Sequence, residues 1–232
     1  MARLPRLTAP GHAHHLIQRG NNGATVFADA GDCSRFLADL AELSKQHGLA
    51  VHAYALLPDH WHLLATPAEA GSLARTMQGL GRRYVGAFNR RHGRSGTLWE
   101  GRYRSTILEP GPWLLPCCVY IEGNPVRAGL TDDAAAYRWS SAAHHLGLRV
   151  DPLISEHPLV WALGNTPFDR QAAYRRRFEA GLSTEEVEAI THTTRHGWAL
   201  GSPEFVAALA NATARRAAPR PPGRPPRTHP SQ

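Results

Sequence analysis

The sequence predicts an α+β fold: a ferredoxin-like (RRM-like) antiparallel sheet with helices on one face, then a small C-terminal helical extension and a disordered basic tail. Three observations predict it. Apolar residues alternate over four short segments and recur at helical spacing over others. In chain order these segments read strand, helix, strand, strand, helix, strand and a closing helix, which is the ferredoxin-like order. Beyond about residue 150 the strand patterns give way to helix starts led by Ser, Thr and Pro. The expected divisions are residues 1–150, 151–214 and 215–232.

Residues 14–19 read as the first strand, ended by the turn-rich Gly20, Asn21, Asn22 and Gly23. Phe36, Leu37, Leu40 and Leu43 mark a helix over 32–47, with Asp32 as its N-cap and Gly48 as its stop. Residues 49–57 form a second strand. Pro58 and Asp59 make a tight link, and 60–66 form a third strand. Leu73, Met77, Leu80, Tyr84, Ala87 and Phe88 mark a helix over 71–91, broken by residues 92–96. Residues 103–108 give the fourth strand. A third helix follows, up to Asn124, where Pro125 prevents its continuation. Proline inside a helix costs about 3 kcal/mol, so this helix is expected to start near Leu115, with Pro116 in its first turn. In the extension, Thr166 and Pro167 begin one helix, Ser183 and Glu186 fit a capping box, and Ser202 and Pro203 open another. Residues 215–232 hold six Pro and five Arg and cannot bury a core.

The chain has 232 residues and 42% apolar content, enough for an ordinary core. No run approaches the roughly 20 apolar residues of a membrane span. The N-terminal residues lack the apolar stretch of a signal peptide. Cys33, Cys117 and Cys118 are too few and too badly spaced for a disulfide framework or a zinc site. These features point to a cytoplasmic protein. The net charge of +7 is concentrated in two basic blocks, one over 82–104 and one in the tail. In the first, Arg82, Arg83, Arg90, Arg91, Arg94, Arg102 and Arg104 alternate with Tyr84, Phe88, Trp99 and Tyr103. Such a block fits a polyanion such as nucleic acid, because each phosphate neutralised releases counterions. Aromatic rings among the arginines can stack unpaired bases.

His60, Trp61 and His62 carry the chemistry. Side chains alternate faces along a strand, so the two imidazoles point one way and Trp61 points to the buried face. Two imidazoles on one face can hold one divalent ion. Tyr120 and Asn124, four residues apart on a helix, share a face. An amide oxygen can join two imidazoles on Mg²⁺ or Mn²⁺. Such a metal polarises a phosphate, and a tyrosine oxygen can attack it to form a phosphotyrosine. His14, His15 and His52 read as packed or solvated strand residues. Tyr84, the rival nucleophile, reads as core or as a base-stacking platform, because Phe88 stands where an amide would be needed.

With these motifs in view, the chain resembles the single-tyrosine HUH transposases, most closely the REP-associated tyrosine transposases. The carriers are His60-Trp61-His62, the run from Gly93 to Arg104, and Tyr120-Ile-Glu-Gly-Asn124-Pro-Val-Arg, over roughly residues 10–145. The resemblance implies cleavage and rejoining of single-stranded DNA beside DNA hairpins, with no nucleotide cofactor. It implies Tyr120 as the nucleophile that keeps the 5′ phosphate, and His60, His62 and Asn124 as metal ligands. Relatives include monomers and homodimers. Two rival readings stand beside it: a hairpin-binding regulator that does not cut, and a metal-dependent nuclease in which water attacks.

Overall fold

The computed structural model describes residues 6–219. Its first half follows the expected order: β1 (His14–Arg19), α1 (Ala30–His47), β2 (Leu49–Leu57), β3 (His60–Pro67), α2 (Ser72–Arg91), β4 (Arg104–Ile107) and α3 (Pro110–Glu122). The strands form one sheet in the order β2-β3-β1-β4, every pair antiparallel. The placing of β1 between β3 and β4 puts it at the centre, next to the histidine strand.

One sheet face is covered by α1 and α2. Leu16, Tyr54, Leu56, Trp61 and Leu63 meet Phe36, Leu40, Leu80 and Tyr84 there. Full burial of each such side chain contributes about 1.5–3 kcal/mol. The other face carries Ala53, Ala55, Leu57 and Leu64 under Leu114, Cys117, Cys118 and Ile121 of α3. A bulge between Val51 and Ala53 lets β2 serve both: Val51 faces the first core and Ala53 the second, although strict alternation would put them together.

The remaining helices are α4 (Asn124–Arg127), α5 (Ala142–His145), α6 (Pro158–Trp161), α7 (Pro167–Ala180), α8 (Thr184–His196) and α9 (Pro203–Thr213). Capping boxes at Thr166/Asp169 and Ser183/Glu186 start α7 and α8. Tyr174 of α7 and Ile190 of α8 are buried in the second core, and α8 lies against β4, β1 and α3. Among the described residues, no helix is long and apolar enough to cross a membrane.

Four expectations need correction. The N-cap of α1 is Asp29, whose carboxylate accepts from the Gly31 and Asp32 amides at 2.8 and 3.1 Å. Asp32 lies inside the first turn, buried against Arg91 and His92. Helix α3 begins at Pro110, five residues before Leu115, so Pro116 lies in its interior. Burial on nearly all sides of α3 overrides the local penalty. Pro125 does not end helical structure. It sits in the first turn of α4, where a missing N–H costs nothing. Finally, the start of the basic tail is packed: Ala217 is 1% exposed, and its carbonyl accepts from the Ala199 amide at 2.8 Å. The tail's remaining residues, 220–232, lie outside the described residues.

Candidate active site

Strand alternation places His60 and His62 of β3 on the α3 face, with Trp61 behind them in the first core. On the neighbouring β1, Arg19 stands opposite His60 and Ile17 opposite His62. The two imidazoles lie 5.1 Å apart, centre to centre. Burial lowers the pKa of both, strongly for His62, so both are neutral with lone pairs available near neutral pH. His60 Nδ1 lies 2.6 Å from Asp59 Oδ1. His62 Nδ1 lies 2.9 Å from His15 Nε2, and His15 Nδ1 lies 2.8 Å from Thr194 Oγ1. With Nδ1 engaged on both rings, Nε2 is the nitrogen left to bind a ligand.

Tyr120 reaches the same place from α3. Its ring lies 5.7 Å from the rings of His15 and His62, edge-on to each. Its hydroxyl lies 3.0 Å from Thr191 Oγ1 on α8. Gly123 joins α3 to α4 while keeping right-handed helical angles (φ −80°, ψ −6°), so Asn124 follows Tyr120 by about one helical turn. Arg127 comes one turn later still. Its guanidinium sits 4.6 Å above the Tyr120 ring and donates to the Tyr120 carbonyl. His15, His60, His62, Tyr120, Asn124 and Arg127 line one cleft of about 250 Å³.

A second groove, of about 420 Å³, adjoins the cleft and shares Ile17, Arg19 and Arg195 with it. Gln18, Arg102 and Arg104 line the remainder with Glu100. Of the seven arginines singled out in the sequence, Arg102 and Arg104 therefore reach the site's border. The other five line neither cavity. Arg83 pairs with Glu42 at 2.8 Å, and Arg91 with Asp29 at 2.7 Å and Asp32 at 2.6 Å. Arg94 lies over the Phe88 ring, and Arg82 and Arg90 are exposed on α2. Tyr84 is core: it is 1% exposed, wedged among Phe27, Phe36 and Trp99, and its hydroxyl donates to the Val26 carbonyl.

A profile of IS200-like transposases matches residues 8–124, a span that contains both histidines and Tyr120 and ends on Asn124. The chain belongs to the IS200-like transposase family. Among solved structures, it is similar to a REP-associated tyrosine transposase bound to a REP hairpin. That match has 15% identity and a TM-score of 0.52, and covers 68% of this chain and 92% of the other. It supports the fold. A second structure, described as a transposase from Deinococcus radiodurans R1, is 24% identical over 45% of this chain and 84% of its own, with a TM-score of 0.35. No curated protein matches.

The donor set of this IS200-like transposase fits a hard or borderline divalent ion: two neutral imidazoles, each backed by a partner at Nδ1, with an amide in the same cleft. Among the described residues, no three His, Cys, Asp or Glu side chains cluster as a metal site; Asn124 is the amide that lines the same cleft. Sequence reasoning missed His15, Arg19, Arg127, Thr191, Thr194 and Arg195. Period-two alternation from His15 to Arg19 on β1 carried a signal. The α8 residues carried none, because only packing brings them there.

Proposed function

We propose that this protein is a metal-dependent single-stranded DNA endonuclease and strand transferase that forms a 5′-phosphotyrosine on Tyr120. One observation carries the reading: Tyr120, His60, His62 and Asn124 line a single cleft that opens onto an arginine-lined groove. A core tyrosine or a simple DNA-binding face has no need of that convergence. The hairpin bound by the REP-associated relative supports DNA hairpins, with single-stranded DNA beside them, as partners. The three buried free cysteines suit action in a reducing cytoplasm.

In this reading Arg19, Arg104 and Arg195 hold the backbone, and Arg127 adds charge beside the nucleophile. His60, His62 and Asn124 would hold Mg²⁺ or Mn²⁺, which supplies positive charge to polarise the scissile phosphate. Tyr120 Oη forms a bond to phosphorus as the bond to the 3′ oxygen breaks. The phenolic proton passes to solvent, and the departing 3′ oxygen takes a proton from solvent. Rejoining reverses this: a 3′ hydroxyl attacks the phosphotyrosine and restores the phenol. The phosphoester bond is conserved throughout, so no nucleotide cofactor is needed.

The test uses oligonucleotides carrying a hairpin and a single-stranded flank, labelled at either end. With Mn²⁺, the 3′-labelled strand should migrate with the protein on a denaturing gel, and the 5′-labelled strand should not. Tyr120→Phe should abolish the adduct while hairpin binding persists. Continued slow cleavage by Tyr120→Phe, with no adduct from either label, would establish water as the attacking group. Binding without cleavage by the unmodified protein would leave a regulator.

A further inference from the structure

We infer that Thr194 of α8 is a positioning residue that supports the metal-binding tautomer of His62 through His15, by accepting the His15 Nδ1–H. This inference rests on the reading of His62 as a metal ligand. A neutral imidazole carries one N–H, and only the other nitrogen can bind a metal. His60 and His62 meet that requirement by different routes. The Nδ1–H of His60 has a carboxylate acceptor, Asp59 Oδ1 at 2.6 Å. His62 has no carboxylate. Its Nδ1 meets the Nε2 of a second neutral ring, His15, at 2.9 Å, with the two rings only 17° from coplanar.

Two proton arrangements satisfy that His15–His62 contact, and they have opposite consequences. In the first, His62 Nδ1–H donates to His15 Nε2, His15 Nδ1–H donates to Thr194 Oγ1, and His62 Nε2 faces the cleft with a free lone pair. In the second, Thr194 donates to His15 Nδ1, His15 Nε2–H donates to His62 Nδ1, and His62 Nε2 carries the proton. Only the first can bind a metal. It requires an acceptor at the far end of the relay, and the Thr194 hydroxyl, 2.8 Å from His15 Nδ1, can take that place. His15 and Thr194 are both buried (1% and 2% exposed), so water does not readily replace the hydroxyl. Thr191, one turn earlier on α8, meets the Tyr120 hydroxyl at 3.0 Å. One helix face therefore contacts both halves of the site from a region 130 residues beyond His62 in sequence.

Thr194→Val keeps the shape and removes the acceptor. Without it, the buried His15 Nδ1–H of the metal-competent arrangement has no partner, and the second arrangement is favoured. Thr194→Ser restores an acceptor. Affinity for Mn²⁺ alone, measured by calorimetry on the full chain without DNA, should fall roughly 10–100-fold in Thr194→Val, the range for loss of an outer-shell partner. Thr194→Ser should bind as the unmodified protein does. Ring-nitrogen NMR of the metal-free protein should show the His62 proton on Nδ1 in the unmodified protein and Thr194→Ser, and on Nε2 in Thr194→Val. That spectrum reports the tautomer directly, whatever the activity. His15→Gln supplies a carbonyl acceptor next to His62, so adding Thr194→Val to it should change Mn²⁺ affinity little. Equal Mn²⁺ affinity in Thr194→Val and the unmodified protein, or an unchanged His62 tautomer, overturns the inference and leaves the ligand reading intact. Absence of Mn²⁺ binding by the unmodified protein overturns the ligand reading itself.

Discussion

Glu122 is fully buried, two residues beyond Tyr120 on α3, and its removal should unfold the protein some 8–16 °C earlier. Its carboxylate accepts from Ser141 Oγ, from His145 Nδ1 at 2.6 Å and from the Tyr174 hydroxyl at 2.6 Å. Those partners belong to α5, its N-cap and α7, so one side chain ties α3 to the packed C-terminal helices. His145 is almost fully buried as well (side chain 1% exposed). Burial opposes its protonation, but the charge and hydrogen bond of Glu122 outweigh that, and the net effect raises its pKa. In Glu122→Ala, a buried cation and two buried hydroxyls lose their partner together. Removing one member of a buried ion pair costs about 3–5 kcal/mol. At about 2–4 °C per kcal/mol for a chain of this size, a loss of about 4 kcal/mol gives that shift in Tm. Thermal and urea unfolding near pH 6 provide the assay. The control is Glu42→Ala, which removes an exposed partner of Arg83 and should leave Tm nearly unchanged. A Glu122→Ala protein within about 1 kcal/mol of that control would refute the reasoning, because the cluster would then be no anchor.

Three further outcomes are expected. Asp59→Asn keeps the shape beside His60 but weakens the acceptor at its Nδ1, so Mn²⁺ affinity and cleavage should fall about 10–100-fold with Tm unchanged; titration and single-turnover cleavage check this. Arg104→Ala and Arg195→Ala should each weaken single-strand binding and lower the slope of log affinity against log salt by about 1, as fluorescence anisotropy across a salt series would report; an unchanged slope would remove that arginine from the backbone path. Acid should destabilise the fold through His14 and His52, both lowered to about 4, chiefly by burial. Their folded values lie below the unfolded value of about 6.5, so stability falls as pH drops from about 6.5 towards 4, by about 2 kcal/mol per residue at pH 5. His145 has the opposite sign: its contribution is complete below about 6.5 and is lost as pH rises through its raised folded value. Melting curves from pH 5 to 9 should show Tm highest between these limits, and His52→Asn should flatten the acid side.

Local pattern fixed much of the fold. Alternation marked four strands to within about a residue, and helical spacing marked α1 and α2, because those periods state directly which face is buried. Local rules failed where packing overrode them. Pro116 lies mid-helix because the surrounding α3 residues are buried. The bulge at Val51/Ala53 switches β2 from one core to the other without a sequence signal of its own. Asp29, not Asp32, caps α1, because chain direction before the helix decides which carboxylate meets the free amides.

The site divides the same way. The sequence alone determined that His60 and His62 share a face and that Tyr120 and Asn124 lie a turn apart, since both follow from backbone periodicity over a few residues. Only the tertiary structure decided that these two pairs meet, that His15 backs His62, and that α8 brings Thr191, Thr194 and Arg195 to the cleft. It also decided that Arg83 and Arg91 are paired with carboxylates of α1 and its cap, while Arg102 and Arg104 border the cleft. The physical reason is range. Repeat period and turn chemistry act within a turn or a strand, whereas the partner of a buried polar group is chosen by three-dimensional packing, which here joins residues 179 positions apart.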